Sequence, residues 1–382
     1  MKKIKFGMIG CGLMGREFAS AALRWAHLPE MTIAPEIVAV CDANPDILTW
    51  YTQNFPTIRL VTADYKELLA DPEIQAIYCA VPHNLHEQFY CDIIASGKHL
   101  MGEKPFGIDL KANVAIVKTV QAHPDVVVRC SSEFPFYPAV QRMASMIDNN
   151  EFGKMIEVNA GFMHSSDLDP KKPINWKRMI EFNGEYGCMG DLGMHACHIP
   201  FRSGWTPKNV RAILTNLVPE RQNNKGEIVP CLTWDNATLL CEVDSSANTG
   251  SFPMTIKTFR IAPGEKDTWF LEILGTKKCA KFSTKNPKLL QVLNYEGGSE
   301  QNWMQIDMGH ETTFKSITGG IFEFGFSDAI LQMWASFLYE LENGKPKNRF
   351  AGCVLPEEAA LSHRLFTAAL ESQKTAQTIA ID

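Results

Sequence analysis

The stretch GDLGMHACHIP, residues 190–200, carries one carboxylate and two imidazoles among glycine and apolar neighbours. On a helix, the spacing of Asp191, His195 and His198 would place all three side chains on one face. Such a face could be a metal site, an acid–base relay or a hydrogen-bonded core cluster. Two histidines and an aspartate can bind zinc, so the residue types alone leave these three alternatives open.

A second stretch with reactive side chains is GEKPFG, residues 102–107. Pro105 restricts the preceding Lys104 to an extended conformation. In a ligand cleft, the Lys104 ammonium could hold a substrate hydroxyl and help to carry its proton. A Glu103–Lys104 pair in a turn is otherwise typical of a solvated surface.

The turn GCGLMG has the G-x-G-x-x-G spacing of a dinucleotide-binding loop. Gly10 allows a tight turn, Gly12 lets backbone N–H groups approach a pyrophosphate, and Gly15 lets the following helix pack close to the strand. Leu13 and Met14 lie inside the same turn. We therefore predict that these five residues contact a dinucleotide.

The next predicted strand ends in an acid, in the segment VAVCD. Asp42 is placed to accept hydrogen bonds from the adenosine ribose hydroxyls, although an aspartate here could also simply cap the turn. No arginine follows closely after Asp42, so a 2′-phosphate would meet a negative charge without a partner. NAD is therefore favoured over NADP.

The segment AVPHNLH follows the third buried strand, where α/β sheets bind ligands. We predict that Val81, Pro82, Asn84 and His86 line the nicotinamide side of the site, together with Glu103 and Lys104. Each of Pro82, Asn84 and His86 could equally cap a helix or form a turn.

The elements that must position these residues alternate between strand and helix. Apolar runs predict strands over 3–9, 37–41, 76–81 and 99–101, and helical patterns cover 15–25, 65–70 and 86–96. This rhythm predicts an α/β fold, with a parallel sheet and helices on both faces.

Length and composition set the remaining bounds. A chain of 382 residues predicts two domains, which we place at 1–130 and 131–382. A net charge of −6 argues against nucleic acid as a partner, and no apolar run is long enough to span a membrane. The 11 cysteines are scattered through apolar segments, which favours a reducing cytoplasm.

The ordered motifs GCGLMG, VAVCD, AVPHNLH, GKHLMGEKP and GDLGMH resemble those of the Gfo/Idh/MocA oxidoreductases. The resemblance implies a Rossmann NAD-binding domain, followed by a substrate-binding α/β domain whose open, mostly antiparallel sheet mediates contacts in a homo-oligomer, a dimer or tetramer. It also maps the family's catalytic lysine, aspartate and histidine onto Lys104, Asp191 and His195. The histidine would accept the proton, and the other two would position or polarise the hydroxyl.

A polar loop at residues 167–187 brings together Trp176, Lys177 and Arg178. An aromatic ring beside charged donors commonly holds a sugar, although the loop could also be a surface loop anchored by its tryptophan. We predict that Tyr137 reaches the same cleft, where many relatives carry an Arg-Phe pair. His198 stands where many relatives carry aspartate, so it could contact substrate, orient His195 or lie in the core.

The resulting expectation is an NAD-dependent oxidoreductase that uses no metal. It would act on a secondary hydroxyl of a sugar, glycoside or cyclitol, for example the hydroxyl at C3. Hydride transfer needs a base and no Lewis acid, and a histidine suits that task. One alternative is a glycosidase that works by transient oxidation at C3 and elimination. Another is an NAD sensor without enzymatic activity, against which intact Lys104 and His195 count.

Overall fold

Two β-sheets organise the chain. A computed structural model describes residues 1–245, 250–298, 300–309 and 311–381. The first sheet has six parallel strands in the order β3-β2-β1-β4-β5-β6. This is the doubly wound order of a dinucleotide-binding fold.

Four strands and three helices around this first sheet agree with the predicted ones to within a few residues, and the other two strands and two helices were not predicted. Its strands are β1 Lys2–Ile9, β2 Ile33–Cys41, β3 Leu60–Thr62, β4 Ala76–Cys79, β5 His99–Gly102 and β6 Val128–Cys130. Its helices are α1 Leu13–Leu23, α2 Leu48–Asn54, α3 Tyr65–Ala70, α4 His86–Ala95 and α5 Leu110–Ala122. The predicted α/β fold with a parallel sheet is confirmed.

The second sheet has nine strands in the order β16-β15-β14-β13-β7-β12-β11-β8-β17. Strands β7 and β12 run parallel, and the other neighbouring pairs are antiparallel. The strands are β7 Met155–Met163, β8 Trp205–Thr215, β11 Asn236–Ser245, β12 Ser251–Phe259, β13 Thr268–Gly275, β14 Lys278–Ser283, β15 Leu289–Asn294, β16 Met304–Asp307 and β17 Ile379–Ala380. A separate hairpin pairs β9 Glu220–Gln222 with β10 Ile228–Pro230.

Burial alternates along the strands of the second sheet, so its two faces differ. One face packs against helices. The helices of this half are α6 Pro138–Asp148, α7 Ile180–Asn183, α8 Met194–Arg202, α9 Phe326–Asn343 and α10 Pro356–Thr375. On the other face, Ile156, Ile213 and Leu240 are 51%, 60% and 51% exposed, so the described residues leave apolar side chains on this face uncovered.

Helix α9 crosses back to the first sheet. Trp334 stacks on Phe18 of α1 at 3.7 Å between ring centroids, and Phe6 of β1 meets both rings edge-on. A helix from the C-terminal half therefore completes the core of the N-terminal sheet. Among the helices of the described residues, none is long and apolar enough to cross a bilayer.

Candidate active site

A cleft of about 550 Å³ lies at the carboxyl ends of the parallel strands, against the second sheet. It is lined by residues of both halves of the chain: Gly12, Leu13, Met14, Gly15, Ala80, Val81, Pro82, His83, Glu103, Lys104, Glu133, Phe162, His164, Trp176, Lys177, Asp191, Leu192, His195, Asp267 and Phe326. This edge of the sheet is where α/β folds bind ligands.

The glycine turn has the backbone that a dinucleotide requires. Gly10 has φ +85°, and a Cβ there would lie 2.4 Å from the carbonyl oxygen of Ala80. A Cβ on Gly15 would lie 2.7 Å from the Gly10 carbonyl oxygen, whereas nothing lies within 4 Å of one on Gly12. The chain thus keeps open space at Gly12, at the N-terminus of α1, where a pyrophosphate fits.

Asp42 ties the end of β2 to this turn. Its carboxylate accepts hydrogen bonds from the backbone N–H groups of Cys11, at 2.8 Å, and Asn44, at 2.9 Å. The side chain is only partly buried, so it retains acceptor capacity for ribose hydroxyls. The capping role and the predicted ribose-binding role are therefore compatible, and the turn as a whole fits NAD.

Lys104 follows β5 and points at the second domain. Its Nζ donates to the backbone oxygen of Asp191 at 2.6 Å and to Oδ1 of the same residue at 2.7 Å. Burial lowers the pKa of Lys104 to about 8, and Arg260 adds to the effect while Glu103 opposes it. The ammonium can therefore release its proton near neutral pH.

Asp191 lies in a π-helical turn, Met189–Gly193, immediately before α8. Such turns often occur at functional sites. Its carboxylate accepts hydrogen bonds from three cations: Lys104, Lys177 at 3.0 Å and 3.1 Å, and Arg260. Three positive groups around one carboxylate hold it in a fixed orientation at the cleft wall.

His195, in the first turn of α8, presents its imidazole to the cleft. Its Nδ1 lies 3.1 Å from Ser132 Oγ, and the rings of Phe134 and Phe162 meet it edge-on. Burial lowers the pKa of His195 well below its usual value, and the positive charge of Lys104 lowers it further. The imidazole is therefore neutral, and donation from Nδ1–H to Ser132 would leave the Nε2 lone pair free.

Trp176 and Lys177 lie in the cleft as a pair. The Lys177 Nζ lies 5.7 Å from the centroid of the Trp176 ring, and His83 packs edge-on against that ring. Desolvation lowers the pKa of Lys177 well below its usual value, with Arg260 and Lys104 contributing. An aromatic face beside a donor is thus available to a ring-shaped ligand.

Three residues predicted to bind substrate lie outside the cleft. Arg178 is fully buried in an ion pair with Asp235, and Tyr137 packs in the second-domain core. His198 is 2% exposed, and its Nε2 lies 3.9 Å from a carboxylate oxygen of Glu358. The structure therefore does not place Asp191, His195 and His198 on one face.

Two residues predicted on the nicotinamide side also face elsewhere. Asn84 is exposed in the turn before α4. The ring of His86 is fully buried, where its Nε2 contacts the carbonyl oxygen of Val81 at 3.1 Å and its Nδ1 accepts from the Gly107 N–H at 3.3 Å. His86 thus connects two loops of the cleft on their buried side, while Val81 itself lines the cleft with Pro82.

Glu103 lines the cleft, and described residues hold one oxygen of its carboxylate. Its Oε1 accepts hydrogen bonds from the Tyr78 hydroxyl at 2.8 Å and from Ser131 Oγ at 2.7 Å. These contacts anchor the strand end from which Lys104 projects. Glu103 therefore supports the position of its neighbour.

Sequence reasoning missed several polar groups of the site. They are His83, Ser132, Glu133, His164, Arg260 and Asp267. Arg260, directly after β12, joins Asp191 to Asp167 and so connects two loops. Glu133 could have drawn attention because it follows β6 at the ligand-binding edge of the sheet, whereas no spacing signal marks the others.

The described residues contain no group of three or more histidine, cysteine, aspartate and glutamate side chains arranged to hold a metal ion. The expectation that the reaction needs no metal stays a prediction, because it concerns the chemistry of the loaded protein.

Comparisons with known proteins agree with this architecture. Residues 4–130 match the profile described as an oxidoreductase family with an NAD-binding Rossmann fold, and residues 140–281 match the C-terminal domain of the same GFO/IDH/MocA family. The first domain is therefore an NAD-binding Rossmann domain.

Similar curated proteins include sugar dehydrogenases. A levoglucosan dehydrogenase of Pseudarthrobacter phenanthrenivorans is 24% identical over 228 residues, covering 59% of this chain and only 57% of that relative. A glucose-6-phosphate 3-dehydrogenase of Bacillus subtilis is 25% identical over 297 residues, covering 77% of this chain and 78% of that relative.

Similar solved structures cover the whole chain. A levoglucosan dehydrogenase in complex with NADH and L-sorbose superposes with a TM-score of 0.88 at 19% identity, covering 100% of both chains. At this identity the likeness establishes a shared fold. Together with the two matched domains, it identifies the chain as a member of the Gfo/Idh/MocA oxidoreductase family.

Proposed function

We propose that this chain is an NAD-dependent dehydrogenase that oxidises a secondary hydroxyl of a sugar, glycoside or cyclitol, or reduces the matching ketone. The observation that carries the proposal is the convergence of Lys104, Asp191 and His195 on one cleft beside the glycine turn. A lysine and a neutral histidine beside a secondary alcohol are the groups that its oxidation requires.

When bound, NAD supplies the hydride acceptor, and the residues of the chain manage the hydroxyl proton. His195 accepts that proton at Nε2, because its imidazole is neutral and Ser132 holds Nδ1. Loss of the proton to a base prevents a protonated carbonyl from forming. Reduction of the ketone uses the same proton in reverse.

Lys104 and Asp191 hold the hydroxyl in place for this transfer. Lys104 Nζ already donates to two Asp191 oxygens, and an ammonium has one further N–H that can reach a ligand oxygen. The positive charge of the Lys104 ammonium stabilises the alkoxide character that develops on the substrate oxygen as the proton leaves. Lys177 and Arg260 fix the Asp191 carboxylate and are positioning residues in this scheme.

The substrate class rests on the cleft and on the relatives. Trp176 offers an apolar plate beside cationic donors, which suits a ring with C–H faces and hydroxyl edges. Relatives named as dehydrogenases of levoglucosan, glucose 6-phosphate and inositol support a carbohydrate or cyclitol. The glycosidase alternative rests on the loop that carries Trp176, Lys177 and Arg178 and on His198. Trp176 and Lys177 line the cleft, whereas the side chains of Arg178 and His198 lie outside it.

The open face of the second sheet supports a homo-oligomer. Ile156, Ile213 and Leu240 are each more than half exposed on that sheet, and exposed apolar surface of this kind is typical of an interface. Sedimentation velocity tests the proposal. A dimer or tetramer is expected, and a monomer at micromolar concentration would contradict it.

A reducing compartment such as the cytoplasm suits the thiols. All 11 cysteines are free, and nine of them are buried. Burial raises the pKa of several, including Cys11 and Cys79, so these thiols serve as small apolar groups.

The direct test incubates purified protein with NAD and a panel of sugars, glycosides and cyclitols, and follows both NADH and released aglycone. Net NADH formation with at least one neutral sugar is the expected result. Aglycone release without added NAD would instead favour the glycosidase, and neither signal on any member would favour the sensor.

A further inference from the structure

One acidic side chain of the cleft has no role in the scheme above. Glu133 lies just beyond β6, is 4% exposed, and lines the cleft with Lys104 and His195. Among the described residues its carboxyl has no hydrogen-bond partner beyond its own backbone N–H. The neighbouring carboxylates differ, because Asp191 and Glu103 are both paired.

Because Glu133 lines the cleft, its carboxyl oxygens are open to hydrogen bonds from whatever occupies the cleft. In a cleft, the missing partner is commonly a ligand. Glu133 therefore points to a polar group of the substrate that completes its hydrogen bonding.

The surroundings of Glu133 define the chemistry of that group. Burial raises the pKa of Glu133 to about 8, repulsion from Glu103 and Asp267 raises it further, and Lys104 opposes the shift. At neutral pH the carboxyl is therefore mostly protonated, so it can both donate and accept a hydrogen bond. A hydroxyl has the same dual capacity.

His164 and Asp267 belong to the same cleft. His164 Nδ1 donates to the carbonyl oxygen of Lys266 at 2.7 Å, which leaves Nε2 as an acceptor 3.7 Å from a carboxylate oxygen of Asp267. Burial lowers the pKa of His164 to about 4, so its ring is neutral. Neither side chain brings a positive charge to this part of the cleft.

We propose that Glu133, with His164 and Asp267, forms a hydroxyl-binding subsite that selects an uncharged polyol ring and rejects a phosphate or carboxylate substituent. The inference rests on the proposed function, because it names the substrate class of the same cleft. An anionic substituent would meet the Asp267 carboxylate and the carboxyl of Glu133, while the nearby Lys104 and Lys177 ammonium groups are already hydrogen-bonded to Asp191. This arrangement disfavours binding of an anion.

The test measures equilibrium binding to the NADH-loaded protein by calorimetry, alongside NADH formation from the NAD-loaded protein. The neutral probes are D-glucose, methyl glucoside, levoglucosan and myo-inositol, and the anionic probes are glucose 6-phosphate and glucuronate. We expect the best neutral probe to bind at least about tenfold more tightly than either anion.

Variants then assign the preference to Glu133. Glu133→Leu should raise the Kd and KM of the best neutral probe by about tenfold, since a buried hydrogen-bonded pair is lost, while NADH affinity stays unchanged. Glu133→Gln should stay within about threefold of wild type, because an amide also donates and accepts. Glu265→Gln is the matched control, because that carboxylate pairs with Lys285 and does not line the cleft.

Three outcomes would overturn the subsite: tighter binding of an anionic probe, binding of no neutral probe, or a Glu133→Leu Kd within twofold of wild type. The outcome for the proposed function is separate. Neutral probes that bind in a Glu133-dependent way but yield no NADH would leave the subsite standing and refute the dehydrogenase.

Discussion

Replacing the proposed proton acceptor should nearly abolish turnover while leaving the fold and the cofactor site intact. His195→Ala removes only the imidazole. The backbone oxygen of residue 195 accepts a hydrogen bond from the Trp269 indole at 2.9 Å, and alanine preserves that contact. A positioned general base contributes about 10²–10⁴ in rate, which corresponds to about 3 to 5 kcal/mol of transition-state stabilisation. The drop should fall on kcat and kcat/KM alike, because the proton moves only in the chemical step.

Replacing residues near the His195 imidazole should lower turnover by smaller factors. Ser132→Ala removes the hydrogen bond between Ser132 Oγ and His195 Nδ1, worth about 1 kcal/mol, so turnover should fall about fivefold. His198→Ala is the matched control, because it lies on the same helix and outside the cleft. It should lower Tm, since a buried side chain is lost, yet keep kcat near that of wild type.

The assay is steady-state NADH formation on the best sugar of the panel, with NADH affinity measured by fluorescence. An unchanged NADH Kd in His195→Ala would confirm that the cofactor site survives. Wild-type turnover in His195→Ala across the pH range would refute the assignment, and the aspartate–histidine pair would then be structural only.

The remaining predictions concern cofactor, pH and metal. Asp42→Ala combined with Ala43→Arg should raise the preference for NADP over NAD, because it removes a charge that opposes a 2′-phosphate and supplies a cationic partner; tighter binding of NADP by the wild type would show that Asp42 does not select NAD. With a Lys104 pKa of about 8 and a His195 pKa well below 6.5, kcat/KM for oxidation should stay level from pH 6.5 to about 7.5 and fall as Lys104 loses its proton. The residual activity of Lys104→Arg should persist to higher pH, since arginine stays protonated; an unchanged loss of kcat/KM at alkaline pH in Lys104→Arg would contradict the role of the ammonium. Glu133 also titrates near pH 8, so the pH profile of Glu133→Gln shows how much of the loss comes from that carboxyl. Activity should survive dialysis against a chelator, because the proton acceptor is an imidazole; a loss that zinc or manganese restores would show that a metal takes part.

The first half of the fold follows from local pattern. Strand β4 is a continuous apolar run and β1 ends in one, FGMI, and the helix over Tyr65–Ala70 was predicted at its observed bounds. The position of α9 could not be read in the same way. Its contact between Trp334 and Phe18 joins residues far apart in sequence, and hydrophobic periodicity carries no information about which sheet a helix covers.

The residues of the candidate site were likewise predictable only in part. Gly12, Lys104 and the Asp191–His195 pair were predicted because each belongs to a motif at a strand or helix terminus. His164, Arg260 and Asp267 come from separate strand ends of the second sheet, and only the tertiary fold brings them to the cleft.

His198 shows how a periodicity argument can go astray. It lies three residues beyond His195 on α8, so its side chain is rotated by only about 60° around the helix axis, and yet it is buried near Glu358 and outside the cleft. The π-helical turn at Met189–Gly193 also changes the relation of Asp191 to the rest of the helix. Spacing alone predicted one shared face, but a π turn is not visible in residue spacing.

The most direct test of the central claim follows the hydrogen that leaves the substrate. A panel sugar carrying deuterium at its ring carbinol carbons is mixed with NAD and excess protein for a single turnover, and the cofactor is analysed by mass spectrometry. We expect NADH that carries one deuterium, with the transfer reduced at least about 100-fold in His195→Ala. A cofactor that never acquires deuterium from any sugar that the protein binds would contradict the proposed hydride transfer.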